Sequence, residues 1–259
     1  AIPLESGRIA VADHYSGIVY GDAEGFNPIH PNGPTNNRAF SMGVSSEQVI
    51  VATGAYDAAF GNQWYPLSYH KFENQQWSTY EQWDDRDAIR VLFNPLNPKE
   101  FYIASWGAGI FQFINDEMIN HFKPSNSSLQ TIYPNDPYCR ISGVALDKSG
   151  NLWAANVMVS NPISVRKTDG TWYSFPYAGV INADRFSNLI YSPSGQLWLI
   201  LPNGEGYFVL DPGTNIESKS DDLYRRFKLT DRNGNNLPSD IYSMTFDNDG
   251  YLWTGTSEG

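Results

Sequence analysis

Asp147-Lys148-Ser149-Gly150-Asn151-Leu152-Trp153 returns as Ser192-Pro193-Ser194-Gly195-Gln196-Leu197-Trp198, and again as Asp247-Asn248-Asp249-Gly250-Tyr251-Leu252-Trp253. In each copy a polar turn closed by glycine hands over to a strand that opens Leu-Trp. The three tryptophans stand 45 and 55 residues apart. Two diverged copies lie upstream: Asn94-Pro95-Leu96-Asn97-Pro98 leads into Phe101-Tyr102-Ile103-Ala104, and Ser45-Ser46-Glu47-Gln48 into Val49-Ile50-Val51-Ala52. A period of roughly 40–50 residues carrying several strands is the sequence signature of propeller blades.

Each repeat reads as four strands. In the third copy these are 140–146, 151–155, 163–166 and 171–175, the last two joined by Lys167-Thr168-Asp169-Gly170, whose Asp-Gly suits a tight hairpin. Aromatic-rich fourth strands recur at 76–80, 118–122 and 224–227, as expected of an outer strand that packs on its neighbour and blunts a sheet edge. The fold class is therefore all-β: a β-propeller of four-stranded antiparallel blades over 1–259. Whole blades are expected at 31–80, 81–122, 123–175 and 176–228, flanked by partial blades at 1–30 and 229–259. Residues 8–30 read as second to fourth strands and 237–259 as a first and second. The chain is expected to be a fragment of a larger ring of about seven blades, with a complete ring of five or six as the alternative. An unclosed ring leaves two unpaired edges, to be covered by further blades or a partner chain.

Composition agrees with that architecture and removes several function classes. Of 259 residues 41% are hydrophobic, 17% charged and 15% aromatic, with 22 Gly and 16 Pro, a turn-rich profile poor in helix formers. The net charge of -11 argues against nucleic acid or an anionic membrane surface as main partner. No apolar run approaches the roughly 18 residues of a membrane span. A single cysteine, Cys139, excludes an internal disulfide and a zinc cluster, and reads as a buried small residue. The start Ala1-Ile2-Pro3-Leu4-Glu5 shows neither initiator Met nor signal peptide, so a processed chain or an excised piece is expected.

The Asp-x-x-Gly-x-Leu-Trp-x-Gly-Thr pattern, closest at 247–256, resembles the two-component-regulator propeller repeat of periplasmic sensors in Bacteroidetes-type bacteria. The run Pro31-Asn32-Gly33-Pro34-Thr35-Asn36-Asn37-Arg38-Ala39-Phe40, and Asn94 to Pro98 followed by Ala104-Ser105-Trp106-Gly107-Ala108-Gly109-Ile110, resemble the propeller proteins of the Por (type IX) secretion system. Either resemblance implies a non-enzymatic binding module in the periplasm or at the cell surface. The first implies ligand sensing for a histidine kinase, the second a part in secretion and surface attachment, and the second is preferred. Expected partners are a glycan or anionic surface polysaccharide, proteins of a cell-envelope complex, or both. No cofactor is implied.

Alignment of the repeats on Ser45, Asn94, Asp147, Ser192 and Asp247 exposes a charge register. Seven positions earlier stand Arg38, Asp87, Arg140, Arg185 and Asp240, all charged in a charge-poor chain. First strands are innermost in a propeller, so these are expected around one mouth of the central channel. Four positions before the turn stand Ser41, Arg90, Gly143, Asn188 and Ser243, while Met42/Val44, Val91/Phe93, Val144/Leu146, Leu189/Tyr191 and Met244/Phe246 form the alternate apolar set. Period-two alternation directs the polar set to the channel and the apolar set between blades. Two readings stand: a self-neutralising Arg/Asp ring, or a mouth that binds an anionic or sugar ligand. Trp64 and Tyr65 in the long loop 54–68, with Tyr56 and Phe60, and Trp106 in the equivalent loop of the next blade, add aromatic faces near the same mouth. Trp83 is expected in a nearby connection, and Asn62 and Gln63 as amide partners for sugar hydroxyls. The same aromatics equally suit protein docking.

Catalytic and metal readings are weaker. Asp87 and Asp240 fall on non-adjacent blades, unlike the paired carboxylates of a glycosidase. The Asp-box pattern is absent, since Lys148, Pro193 and Asn248 stand two before the glycines. A propeller glycosidase or lyase is the least favoured alternative. His14, His30, His70 and His121 lack metal-ligand spacing and read as surface or edge-strand residues. Asp231-Arg232-Asn233-Gly234-Asn235-Asn236 looks like the start of a calcium loop but has Tyr242 at the twelfth position, and a turn is expected instead. The acidic run Asp84-Asp85-Arg86-Asp87 reads as a solvated connection.

Overall fold

The structure is a computed structural model that describes residues 1–4, 7–14, 17–29, 32–182 and 184–259. His30 and Pro31, both named above, lie outside the described residues. Four whole blades follow one another. The first comprises β5 (Ser41–Val44), β6 (Gln48–Ala52), β7 (Pro66–Glu73) and β8 (Gln76–Arg86). The second comprises β9 (Ala88–Asn94), β10 (Asn97–Gly107), β11 (Gly109–Ile114) and β12 (Glu117–Phe122). The third comprises β13 (Cys139–Leu146), β14 (Leu152–Asn156), β15 (Ile163–Arg166) and β16 (Trp172–Phe175). The fourth comprises β17 (Leu189–Tyr191), β18 (Leu197–Leu201), β19 (Gly206–Asp211) and β20 (Leu223–Phe227). Each is an antiparallel meander.

Before them, β1 (Ile2–Pro3), β2 (Ile9–Asp13), β3 (Gly17–Asp22) and β4 (Gly25–Pro28) form a sheet, in which β2, β3 and β4 stand as second, third and fourth strands beside a two-residue first. After them, β21 (Ile241–Phe246) and β22 (Leu252–Thr256) pair as a first and second strand. The one α-helix among the described residues, α1 (Ala178–Ile181), is a single turn in the connection between third and fourth blades.

Two features were not legible in the repeats. The long hairpin β7–β8 continues to Arg86, which places Trp83 and Asp84 to Arg86 in a strand rather than a connection. Eleven-residue β10 pairs at its end with β13 (Trp106 with Arg140, Gly107 with Cys139), joining the second and third blades into one continuous sheet.

The recurring turn has a physical cause that the spacing encodes. Oδ1 of Asp147 accepts the backbone N–H of Ser149 and Asn151, both at 2.9 Å, and Oδ2 accepts the Trp153 indole N–H at 2.9 Å. Asp247 repeats this with Asp249 at 3.0 Å, Tyr251 at 2.9 Å and the Trp253 indole at 2.7 Å. Gly150 and Gly250 take φ of 82° and 85°, where a side chain is strained. One carboxylate thus closes the turn and fixes the strand's tryptophan. In the middle copy Ser192 replaces the aspartate. Its hydroxyl still accepts the Gln196 N–H at 2.9 Å, but the Trp198 indole nitrogen is buried with no partner. Ser192→Asp should restore that bond and raise the unfolding free energy by about 1 kcal/mol, as a shift of the urea midpoint at constant slope.

Between successive blades lie four apolar clusters. Between the first and second blades, Phe101 and Phe113 stack at 5.0 Å with Tyr69 edge-on to both. Tyr102, Ile110, Val144 and Leu152 fill the next interface, and Trp153, Phe175, Leu189 and Phe208 the third. Ile200, Tyr207, Ile241 and Met244 fill the fourth. The expected alternation therefore holds where the preceding blade packs on the strand: Val144, Leu189 and Met244 are buried against it. At the ends it does not bury: Met42 and Val44 are 69% and 63% exposed, and Trp253 is 65% exposed where Trp153 is fully enclosed. Each such face needs a neighbouring sheet to exclude water.

Candidate functional site

The loop between β6 and β7 is organised by one buried carboxylate. Asp87, between β8 and β9, has φ of 49° and no solvent exposure. Its oxygens accept the backbone N–H of Trp64 at 3.0 Å and of Tyr65 at 3.1 Å, and the Asn62 amide at 3.2 Å. Burial raises its carboxyl above the ordinary range, and these donors act in the opposite direction. Aromatic packing completes the anchor. Tyr56 lies 4.6 Å from the Trp106 ring and stacks on Phe60, whose carbonyl accepts the Trp106 indole N–H at 3.0 Å. Trp106 is wholly enclosed. It is a core residue, not an open stacking face.

Asn62 joins the charges of adjacent blades. Its amide nitrogen donates to Asp87 and, at 2.6 Å, to the Trp106 carbonyl. Its oxygen accepts from Arg140 at 2.8 Å and from the Tyr138 hydroxyl. The Arg140 guanidinium lies over the rings of Trp106 at 5.1 Å and Tyr138 at 5.3 Å. Asn62, read from sequence as a sugar partner, thus spends its amide inside the fold.

The five charges in register do not form one equivalent ring. Asp87 and Arg140 belong to this internal network. Arg38 is exposed, with its guanidinium 4.0 Å above the Tyr65 ring, and Arg185 is exposed on the segment leading into β17. Half-buried Asp240 accepts the Gly204 N–H at 3.0 Å. Half-buried Asn188 accepts the Ile200 N–H through its backbone carbonyl at 3.1 Å. At Gly143 an added Cβ would run into the backbone of Leu189, so that inward position is empty because two blades approach there.

Asp240 and Arg90 do reach a common cavity of about 380 Å³, formed by Phe40 ahead of β5, the loop after β6, Arg90 of β9, Ser187 ahead of β17, Ile200 at the end of β18 and the start of β21. Its aromatic lining is Phe40, Tyr56, Phe60 and Tyr242. Arg90 is half-buried, lies 5.4 Å from the Phe40 ring, and donates to the Ile89 carbonyl at 3.0 Å and the Ser187 hydroxyl at 3.3 Å. Its Nε is enclosed and unpartnered, and burial lowers its pKa. Tyr242, 66% exposed, reads from sequence only as the twelfth position of a calcium-like loop and not as a site residue. It stands two residues after Asp240, and period-two alternation on an inner strand was the signal available.

Trp64 lines a second cavity, of about 240 Å³, with Asp84, Asp85, His121, Lys123 and Tyr138 among its walls. Asp85 is half-buried in β8 and desolvation raises its carboxyl, which corrects the reading of 84–87 as a solvated connection. His70 is also corrected: it is buried, with Nδ1 2.9 Å from the Thr79 hydroxyl, and burial lowers its pKa. His121 lies on β12 as an edge-strand residue and stacks on Phe111 at 4.1 Å, and His14 is exposed. Asp231 closes its own turn, accepting the N–H of Asn233 and Asn235 at 2.8 Å. Cys139 is buried and its thiol pushed up to about 12 by burial. It should remain unmodified by a disulfide-exchange thiol reagent at pH 8 and react fully once the chain is unfolded in denaturant.

The family model described as two component regulator propeller matches residues 237–258, the segment holding the Asp247–Trp253 turn. A β-propeller is the fold of this chain. PorZ, described as an essential bacterial surface component of the type-IX secretion system of Porphyromonas gingivalis, superposes with a TM-score of 0.78 at 24% identity, over 97% of this chain and 36% of PorZ. The extracellular domain of the hybrid two-component system BT3049 from B. thetaiotaomicron gives 0.56 at 17% identity, over 96% of this chain and 30% of that one. Virginiamycin B lyase from Staphylococcus aureus gives 0.57 at 13% identity, over 97% and 75%. The chain thus spans about a third of the length of the first two. Comparison with curated protein sequences gives no match. Among the described residues no helix is long and apolar enough to cross a membrane.

Proposed function

We propose that this chain is a segment of an exported, non-enzymatic propeller of the bacterial cell envelope, acting in type IX secretion or surface attachment, and that its central cavity binds a glycan unit. The cavity carries this reading. Its 380 Å³ falls within the roughly 300–1,000 Å³ of small-ligand sites, and it pairs aromatic faces with Arg90 and Asp240 as donor and acceptor. That combination stacks on a sugar ring and exchanges hydrogen bonds with its hydroxyls. The higher structural similarity and identity to PorZ favour the secretion role. The repeat matched at 237–258 favours the second reading, a glycan-sensing periplasmic propeller of a hybrid sensor kinase. Genomic sequence beyond Gly259 separates them: a β-sandwich, membrane span and kinase mark the sensor, a short surface-sorting domain the secretion component.

Titration calorimetry against neutral and acidic glycans tests the site. Tyr242→Ala and Asp240→Asn should each weaken the best glycan about tenfold, the scale of one stacking or charged hydrogen-bond contact. The glycan should be recovered intact. Unchanged affinity in both variants places binding elsewhere, and cleavage that disappears in Asp240→Asn makes the protein an enzyme.

A further inference from the structure

The second cavity holds a different chemistry. It opens where the end of β8, the turn after β10, the end of β12 and the segment preceding β13 meet beneath Trp64. Trp64 is 62% exposed although its φ is 60°, a conformation that costs a bulky residue of order 1 kcal/mol or more. The bond from its N–H to buried Asp87 holds that conformation. The indole stands in the open, 6.1 Å from the Tyr138 ring and tilted 36° to it. Exposed Tyr133, 5.9 Å beyond Tyr138, extends the aromatic wall. The indole therefore faces this cavity rather than a core.

Charge selects the occupant. Asp84, Asp85 and Asp136 outnumber Arg86 and Lys123 around the cavity. His121 and Lys123 act on Asp85, while Asp84 and Asp136 stand exposed at the rim. The whole chain carries a net charge of -11, so its long-range field also draws cations. At about 240 Å³ the cavity is smaller than the usual site for a drug-sized molecule and suits one side chain. We propose that this cleft is a peptide-docking site that takes one cationic side chain, lysine or arginine, of a basic partner segment, stacked on Trp64 and paired with Asp84 and Asp136. An ammonium or guanidinium over an indole face gains most where carboxylates share the same partly desolvated space. This site is separate from the central cavity and does not depend on glycan binding there.

The test uses the whole chain and three acetylated tripeptide amides, Gly-Lys-Gly, Gly-Arg-Gly and Gly-Gln-Gly, with methyl α-glucopyranoside as a sugar control, followed by calorimetry or NMR shifts at low and high salt. The basic tripeptides should bind at least about tenfold more tightly than the glutamine tripeptide, weakening as salt rises. Trp64→Asn, which tolerates the positive φ, and Asp84→Asn with Asp136→Asn should each abolish that preference while the unfolding midpoint holds within a few degrees. Tyr242→Ala should leave it intact. Equal binding of the glutamine tripeptide, occupancy by the glucoside instead, absence of binding by either basic tripeptide, or a preference that survives Trp64→Asn overturns the proposal.

Discussion

Asp87→Ala should lower the unfolding free energy by about 2–4 kcal/mol, because it leaves the partly buried N–H groups of Trp64 and Tyr65 without an acceptor and removes one of the two acceptors of the Asn62 amide, at about 1–3 kcal/mol for each lost partner. Urea unfolding followed by tryptophan fluorescence measures it, and a loss under about 1 kcal/mol would contradict the anchoring role. The pH dependence has a definite sign. Burial raises the folded-state pKa of this carboxyl, so folding favours its protonated form. Its contribution is therefore full below the unfolded-state pKa and declines as pH rises through the folded-state value. The gap between wild type and Asp87→Ala should widen as pH is lowered towards 4, opposite to a salt-bridged aspartate. By contrast Asp240→Asn, at the half-buried Gly204 contact, should stay within about 1 kcal/mol of wild type.

Trp106→Ala should cost about 3–5 kcal/mol, the range for emptying a fully enclosed tryptophan site. It removes the surface on which Tyr56, Phe60 and Arg140 rest. Trp106→Phe keeps most of that packing but leaves the Phe60 carbonyl without the indole N–H, for a loss of about 1–2 kcal/mol. Because the Asp87 carbonyl accepts the Trp106 N–H at 2.9 Å and both residues hold the same loop, the double alanine variant should lose less than the sum of the singles. Strict additivity would show two independent anchors.

Nothing in the sequence around Asp87 or Trp106 marks either residue as buried. Arg38, Asp87, Arg140, Arg185 and Asp240 occupy one register in the repeats, yet they have different fates. A register fixes where a backbone position sits in its blade. It does not fix whether a neighbouring loop folds over the side chain, and the loop around Asn62 does so for Asp87 and Arg140 but not for Arg38 or Arg185. Arg90 and Asp240 were legible as inward-facing and do line the cavity, whereas Trp106 looked like its neighbour Trp64 until burial separated them. Trp83 and Asp85 were misplaced because an eleven-residue strand overruns the repeat's usual length.

By itself the sequence determined the blade. The Asp-to-Trp spacing of the turn, the glycine at positive φ and the two-residue alternation are local, each satisfied within a hairpin, and so each leaves a readable trace in the order of residues. Only the tertiary structure decided which charges are consumed internally and which remain at an open cavity. That depends on contacts between blades across long stretches of sequence, such as Asn62 with Arg140, 78 residues apart, or Arg90 with Ser187, 97 apart, for which no local pattern exists.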